Sequence, residues 1–463
     1  MATARCSSLL VRPEVQDCTG CARLDDTGTL HPGRVWFSCG MHPTGPLAGR
    51  KILAVGINYA PEHTGIAPYT TEACDYLAAG GATVLAIAGV PHYPHWTMPA
   101  EYQGRRSSEE THGAVTVRRL WHTVPAQQSA RSRATYEATF GAHVLGQRLP
   151  WRPDVVLAVV PSLFGAGAAA KIAHRAGVRL VLWVQDLMGP SVAQSGMSGG
   201  RRIARLTTAL EKRVLLRADQ VVVVSGAFRT YVEARGVDQS RVHVVPNWTH
   251  VEHSVQDRPS VRKRLGWAEG DVIALHSGNM GLKQGLGNLV ETARIATPPV
   301  RIVLMGDGNQ RAALEQLGSG VEALQMLPPV DSAQYPAVLA AADILLVNER
   351  ASVVDMSLPS KLTSYFCAGV PVLAAVPPGG GTAREVERSG GGILVAPEDP
   401  QLLLAALESL GADAATVARL GAAGAMHARK HLDREVSLRR LSDILGDAMA
   451  GADRSDPRLP PCV

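Results

Sequence analysis

Short apolar runs alternate with helix-length segments along this chain, and they do so in two successive series. The first series opens at Lys51–Gly56 (KILAVG), read as a buried strand that runs into a glycine-containing loop. The pattern then predicts a helix from about Ile66 to Ala79, stopped by Gly80 and Gly81. Further strands are predicted near Thr83–Ala88, Val115–Leu120, Asp154–Val160, Val178–Gln185 and Gln220–Val224. The second series has strands near Asp271–His276, Val300–Met305, Asp343–Val347 and Val370–Ala375. Its helices are expected near Gln284–Thr297, Gln310–Leu317, Ser332–Ala341 and Ser360–Ala368, with later segments at Pro400–Leu410 and Glu435–Met449. Fully apolar strands separated by helices specify parallel sheets covered on both faces. The chain has 463 residues, too many for one ordinary core. The expected fold is therefore α/β, two Rossmann-like doubly wound domains facing across a cleft. The N-terminal domain spans 48–248, the polar stretch His250–Pro259 is the linker, and the C-terminal domain spans 259–431. Residues 432–450 form a final helix that packs back on the first domain, and 1–47 and 451–463 read as disordered extensions.

Bulk properties narrow the class. Hydrophobic residues make up 46% and charged residues 19%, which is globular. The longest uncharged apolar run, Val155–Ala170, falls short of the ~18–20 residues of a membrane span and contains Pro161. No signal peptide is recognised, so the expected location is cytoplasmic. Residues 48–250 carry 22 Lys and Arg against 13 Asp and Glu, whereas 251–463 carry 20 against 24. A basic first half suits an anionic partner such as a phosphate-bearing acceptor or a membrane surface; nucleic acid is not among the expected partners. Cys6, Cys18, Cys21 and Cys39 crowd the N-terminal extension, but a zinc site is not assigned because a second CxxC is missing.

Three glycine-containing loops follow predicted strands: Gly56 to Ile66, Ser277 to Gly285, and Gly306 to Asn309. Glycine lets backbone N–H groups approach a phosphate, and the next helix N-terminus adds partial positive charge. Lys283, inside the second loop, is placed to neutralise a diphosphate.

The stretches GINYAPEHTGIAPYT, SGNMGLKQGL, GDGNQ and SLPSKLTSYFCAGVPVLA, in this order, resemble the retaining glycosyltransferases of family 4. The resemblance is nearest to the branch that builds bacterial exopolysaccharides of the colanic-acid type, and it runs from about Lys51 to Leu445. ADQVVVVSGAFRTYVEARGV followed by VVPNW is similar to the family's segment before the hinge. The resemblance implies the GT-B fold, a nucleotide-sugar donor, a glycan or lipid-linked glycan acceptor, and no cofactor. It implies that Gly65, Gly278, Asn279 and Lys283 lie beside the donor diphosphate. Gly306, Asp307 and Gly308 would approach the nucleotide, and Pro359, Ser360, Lys361 and Ser364 would face the donor sugar and phosphate. Asp186, in VQDL at the end of a strand, becomes the candidate for positioning the acceptor hydroxyl; a helix-capping role is the plainer alternative. It also implies that a donor phosphate oxygen takes the acceptor proton.

The chain departs from the family pattern in two respects: many relatives have an arginine where Asn279 falls and a lysine that aligns nearer Gln284 than Lys283, and the paired glutamates differ. Many relatives carry two glutamates eight positions apart, and the aligned positions here are Met356 and Ser364. No Asp-x-Asp occurs anywhere, so Lys283, Lys361 and helix N-termini are expected to meet the leaving-group charge without metal. His92, Tyr93, His95 and Trp96 (HYPHW) read as an acceptor-facing loop on which a sugar ring stacks. On the helix Arg201–Arg217, the cations Arg201, Arg202, Arg205, Lys212, Arg213 and Arg217 share one arc beside an apolar stripe. Such a face suits anionic headgroups at the inner side of a membrane, or simply solvent over a core stripe. A GT-B nucleotide-sugar epimerase would need clustered carboxylates, a dehydrogenase would need GxGxxG with a following acid, and neither pattern is found. The non-enzymatic alternative is a degenerate sugar-nucleotide-binding protein.

Overall fold

Val155–Val160 (VVLAVV) is buried at all six positions. β-branched side chains favour the extended backbone, and a strand with no polar face has to be covered on both sides. The computed structural model shows how this is met. It describes residues 45–62, 65–93, 96–125, 130–189, 200–250, 256–353 and 361–451, with backbone alone at 130–131 and 200–204.

The first half runs β1 (Lys51–Val55), α1 (Ala67–Ala79), β2 (Thr83–Gly89), β3 (Ser107–His112), β4 (Val115–Leu120), α2 (Ala130–Leu145), β5 (Val155–Val160), α3 (Leu163–Ala176), β6 (Arg179–Val184), α4 (Gly200–Arg217), β7 (Gln220–Val223), α5 (Gly226–Glu233) and β8 (Val242–Val244). Among the described residues its sheet has the order β3-β4-β2-β1-β5-β6-β7-β8. All neighbours are parallel except β3 and β4. The sequence pattern misses β3 because SSEETH carries no apolar alternation. Cross-strand charge holds it instead: Glu109 accepts from Arg118 at 2.9 Å and Glu110 from Arg119 at 2.6 Å.

The second half runs α6 (Arg258–Leu265), β9 (Val272–Ser277), α7 (Gly287–Ile295), β10 (Val300–Met305), α8 (Arg311–Leu317), β11 (Leu324–Leu327), α9 (Tyr335–Ala341), β12 (Ile344–Asn348), α10 (Lys361–Ala368), β13 (Val372–Ala375), α11 (Gly381–Ser389), β14 (Gly392–Val395), α12 (Pro400–Ala412), α13 (Ala414–His431) and α14 (Arg434–Ala450). Its sheet is parallel throughout, in the order β11-β10-β9-β12-β13-β14. Two expectations need correction. The linker is shorter than read, because α6 starts at Arg258, capped by Asp257. The helix expected from Gln284 does not start there: Gly285 adopts φ +56° and separates a short 3-10 turn, Leu282–Gln284, from α7.

In each sheet the chain reverses its direction of progress beside one central strand: β1 lies between β2 and β5, and β9 lies between β10 and β12. Ligand loops of doubly wound sheets gather at the carboxyl ends of such strands. Here those ends carry Gly56 and Gly278.

The chain passes between the halves twice. After the second sheet, α14 returns to the first and buries Leu438, Leu441, Ile444 and Leu445 in one cluster with Ile52, Leu157, Trp183 and Trp248. Each large side chain so buried stabilises by roughly 1.5–3 kcal/mol. Glu72 on α1 ties both passages together. Its carboxylate accepts from Trp248 Nε1 at 2.7 Å, His250 Nδ1 at 2.8 Å and Arg434 Nε at 2.6 Å. Tyr69, one turn earlier, donates to the Trp248 carbonyl at 3.2 Å and meets Thr363 of α10.

Burial alone would raise the Glu72 carboxyl, but the bonds from His250, Arg434 and Trp248 outweigh it and hold the group down at about 2. A carboxyl lowered on folding contributes stability that is present above its ordinary value of about 4.3 and lost as pH falls toward 2. Acid unfolding of Glu72→Gln is therefore expected to differ most from wild type at neutral pH, the two curves converging below pH ~4. Curves separated by a constant offset down to pH 2 would show that Glu72 is not held this way.

Candidate functional site

Two glycine loops of the second half interlock. Gly278, directly after β9, has φ +109°, and its N–H donates to the Met305 carbonyl at 2.9 Å. Met280 N donates to Asp307 O at 2.8 Å, and Gln310 N to Met280 O at 3.0 Å. The fit leaves no room for side chains at two positions. A Cβ on Gly306 (φ +147°) would lie 1.9 Å from the Gly278 carbonyl, and one on Gly308 (φ +154°) would lie 2.7 Å from Asn279 Oδ1. Asn279 and Asp307 are exposed on this rim, where Asp307 Oδ1 accepts from its neighbour Gly308 N at 2.7 Å.

Lys283 sits in the 3-10 turn of the first of these loops, and buried amides fix that turn from below. Asn348, at the end of β12, donates from Nδ2 to the carbonyls of Gln284 (2.7 Å) and Gly285 (3.0 Å). Its Oδ1 accepts from Asn288 of α7 at 2.8 Å. Arg350 N donates to the Lys283 carbonyl at 3.0 Å. Lys361, the first residue of α10, reaches under Gly278, and its Nζ lies 3.1 Å from His276 Nε2. Burial pushes the Lys361 ammonium down to about 7, with Glu349 opposing. Glu349 follows β12 and accepts from Thr382 Oγ1 at 2.8 Å. Ser364 is half-buried on α10; Ser360 and Met356 lie outside the described residues.

The first half presents a different set of groups. Buried Glu62 joins the loops after β1 and β2. It accepts from the backbone N–H of His92 and Tyr93, both at 2.9 Å, and from Asn58 Nδ2 at 2.9 Å. The Tyr93 ring lies over Gly65 (φ +67°), where a Cβ would stand 3.3 Å from Cε1. Trp96 packs edge-on to Tyr93 and near Tyr136, with the Arg133 guanidinium 5.5 Å over its ring. Asp186 follows β6. Burial raises its carboxyl to about 6, against the charges of Lys283 and Arg133. Reciprocally, desolvation lowers the Lys283 ammonium and the Asp186 charge opposes that shift. Asp186 of the first half and Lys283 of the second therefore sense one another's charge. The chain just after Asp186 is held by buried Glu211 of α4, which accepts from Met188 N at 2.7 Å and from Tyr231 OH at 2.6 Å.

The structure thus brings Lys283, Lys361, Gly278, Asn279, Gly306, Asp307 and Gly308 to one rim, and Gly65, Tyr93, Trp96 and Asp186 to the other. His92 is a correction. It is not acceptor-facing but buried, its ring bonded to Val90 O at 2.8 Å and Tyr136 OH at 3.2 Å and packed edge-on to His122. A histidine beside prolines reads as surface loop, but Tyr136 of α2 and His122, just after β4, close over it. His95 lies outside the described residues, as do the side chains of Arg201 and Arg202; Arg205, Lys212 and Arg213 are exposed on α4. Arg133, His276, Asn348 and Glu349 escaped the sequence reading. No local motif marks them.

Comparison with known proteins follows the same two-part division. Residues 64–248 match the glycosyl transferase 4-like domain, and residues 257–427 match glycosyl transferases group 1. The chain is 32% identical over 412 residues to the putative colanic acid biosynthesis glycosyl transferase WcaI of Escherichia coli (strain K12), covering 86% of this chain and 100% of that protein. Among solved structures it is similar to sucrose-phosphate synthase from Thermosynechococcus elongatus, with TM-score 0.67, 17% identity, and coverage of 87% of this chain and 100% of the other. It is also similar to HepE of Anabaena in complex with UDP-glucose, with TM-score 0.62, 18% identity, and coverage of 86% and 100%.

Proposed function

Because the chain belongs to the family 4 glycosyltransferases, with their GT-B fold of two Rossmann-like units, we propose that it transfers a sugar from a nucleoside-diphosphate donor with retention of configuration, without metal, in cell-surface polysaccharide synthesis. The acceptor we assign is a glycan or a lipid-linked glycan. One observation carries the reading: the interlocked glycine loops, with no room for a side chain at Gly306 or Gly308, lie beside Lys283 and Lys361, and Asp186 of the other half is within electrostatic reach of Lys283. A cation beside glycine loops on one side and a carboxylate on the other suit a diphosphate and an acceptor hydroxyl respectively. Similarity to HepE, solved with UDP-glucose, supports the donor class, and similarity to a colanic acid biosynthesis transferase supports the pathway class.

In this reading the donor C1–O bond breaks and its electron pair stays on the leaving diphosphate. Lys283, Lys361 and backbone N–H groups near Gly278 meet that charge. Asp186 orients the acceptor hydroxyl, whose oxygen bonds C1 on the face the leaving group vacates. Its proton passes to a donor phosphate oxygen, so no covalent nucleophile is needed. The experiment is proton NMR of the first product formed from an α-linked nucleotide sugar drawn from a UDP and GDP panel. An α-glycoside is expected; a β-glycoside formed directly would end the retaining assignment.

The reading extends to a place of action, the cytoplasmic face of an anionic membrane. No single helix among the described residues is long and apolar enough to cross a bilayer. On α4, Arg205, Lys212, Arg213 and Arg217 are exposed, and so are Leu206 (73%) and Leu216 (41%). Cations with leucines beside them suit an interfacial contact. Sedimentation with liposomes is expected to rise with anionic lipid content and fall with salt. Binding indifferent to both would refute the contact.

A further inference from the structure

β9 takes a polar side chain into the core. His276 is fully buried, and a buried imidazole has to satisfy both ring nitrogens. Nδ1 lies 3.3 Å from the Leu346 carbonyl. A carbonyl only accepts, so Nδ1 carries the proton and Nε2 keeps a lone pair. That lone pair faces Lys361 Nζ at 3.1 Å. Burial, together with the lysine charge, holds the imidazole well below its ordinary value, hence neutral. The ammonium is thereby anchored by an acceptor that leaves its charge intact, which a carboxylate in the same place would cancel. On the other side stands Gly278, where even a Cβ would approach no closer than 3.9 Å to Nζ. Gly278 itself therefore puts no side chain between the ammonium and the phosphate loop.

We propose that His276 is a positioning residue of the donor site: as a neutral acceptor it fixes the Lys361 ammonium beneath Gly278 and turns its remaining N–H bonds toward a nucleoside diphosphate. This deepens the functional reading above and rests on Lys361 being a donor-phosphate group. The groups around this pair and the neighbouring Ser277 come from five segments. Glu349 after β12 favours the charged lysine. Thr382 of α11 binds that glutamate. Tyr365 of α10 bonds Ser277 N at 2.8 Å, and Tyr335 of α9 bonds Ser277 Oγ at 2.8 Å. The Asn279 carbonyl also lies by the ring. Both tyrosine hydroxyls are raised by burial and stay neutral through the working range.

The test compares wild type with His276→Phe, which removes the acceptor at similar size, and His276→Gln, which retains one. UDP and GDP binding is measured by calorimetry, and kcat/KM for the donor that turns over is followed from pH 6 to 9. Losing a hydrogen bond to a charged group is expected to weaken diphosphate binding about tenfold or more. It also destabilises the ammonium, so the alkaline fall of kcat/KM should move to lower pH by about one unit in His276→Phe and return in His276→Gln. Folded His276→Phe with wild-type affinity and an unmoved alkaline limb overturns the proposal. So does equal impairment of both variants at an unmoved limb, which marks a merely structural residue. Nitrogen-15 NMR of histidine in the unmodified protein covers failure of a variant to fold. It should show His276 as the neutral Nδ1–H tautomer between pH 6 and 8; an imidazolium or the Nε2–H form overturns the assignment. Lys361→Met separates the two layers. If it binds UDP and GDP as wild type does, the reading of Lys361 falls, and the proposal with it. If it weakens binding while His276→Phe does not, only the role of His276 falls.

Discussion

Lys283→Ala should lower kcat by about 10²–10³ while the protein stays folded. The size follows from what the lysine is asked to do. A preformed group that stabilises charge in the transition state is typically worth roughly 3–4 kcal/mol. Its turn is fixed independently of its side chain, through Asn348 and Arg350 N, so truncation should not collapse the loop. Lys283 is also exposed as a residue, so thermal stability should be within about 0.5 kcal/mol of wild type. Steady-state kinetics with a matched melting curve checks both. Near-wild-type turnover would move the phosphate role onto Lys361.

Asp186→Asn is the second large effect, about 10² in kcat or more, the scale on which misplacing a reacting group costs rate. Burial raises this carboxyl to about 6, opposed by Lys283 and Arg133. Wild-type activity should accordingly fall as pH drops through about 6, because a protonated carboxyl no longer offers the acceptor hydroxyl a charged oxygen to donate to. The asparagine variant should lack that acid limb. Stability carries the opposite sign. A carboxyl raised on folding gives a contribution present below its ordinary value of about 3.9 and lost as pH rises to about 6. Asp186→Asn should therefore be no less stable than wild type at pH 7.5. A variant that is both active and acid-sensitive would return Asp186 to a capping role.

The parts of this fold legible from sequence are those whose physics is local. A run such as VVLAVV, buried on both faces, has few other ways to be satisfied, and glycines at Gly306 and Gly308 announce loops with no room for a side chain. Elements held by distant partners left no such mark. β3 is polar and is paired to β4 by Glu109 and Glu110. β11 and β14 are short edge strands with no fully buried position, unlike the equally short but buried β7 and β13. α13 is alanine-rich, with few buried large side chains. The site divides the same way. Lys283 and Lys361 sit inside recognisable loops. His276 sits on a strand whose apolar neighbours hide it, and Arg133 acquires its place only when α2 brings it over Trp96 and Tyr136. His92 was misplaced for the same reason, since its burial depends on Tyr136, 44 residues away.

The account stands on the claim that the protein's own cations, Lys283 and Lys361, meet the charge of the departing diphosphate. Turnover of nucleotide sugars by wild type in EDTA, with and without later magnesium, tests it most directly. The predicted result is a rate that changes little with chelator and is not raised by magnesium. Loss of turnover in EDTA, restored by magnesium, would contradict it.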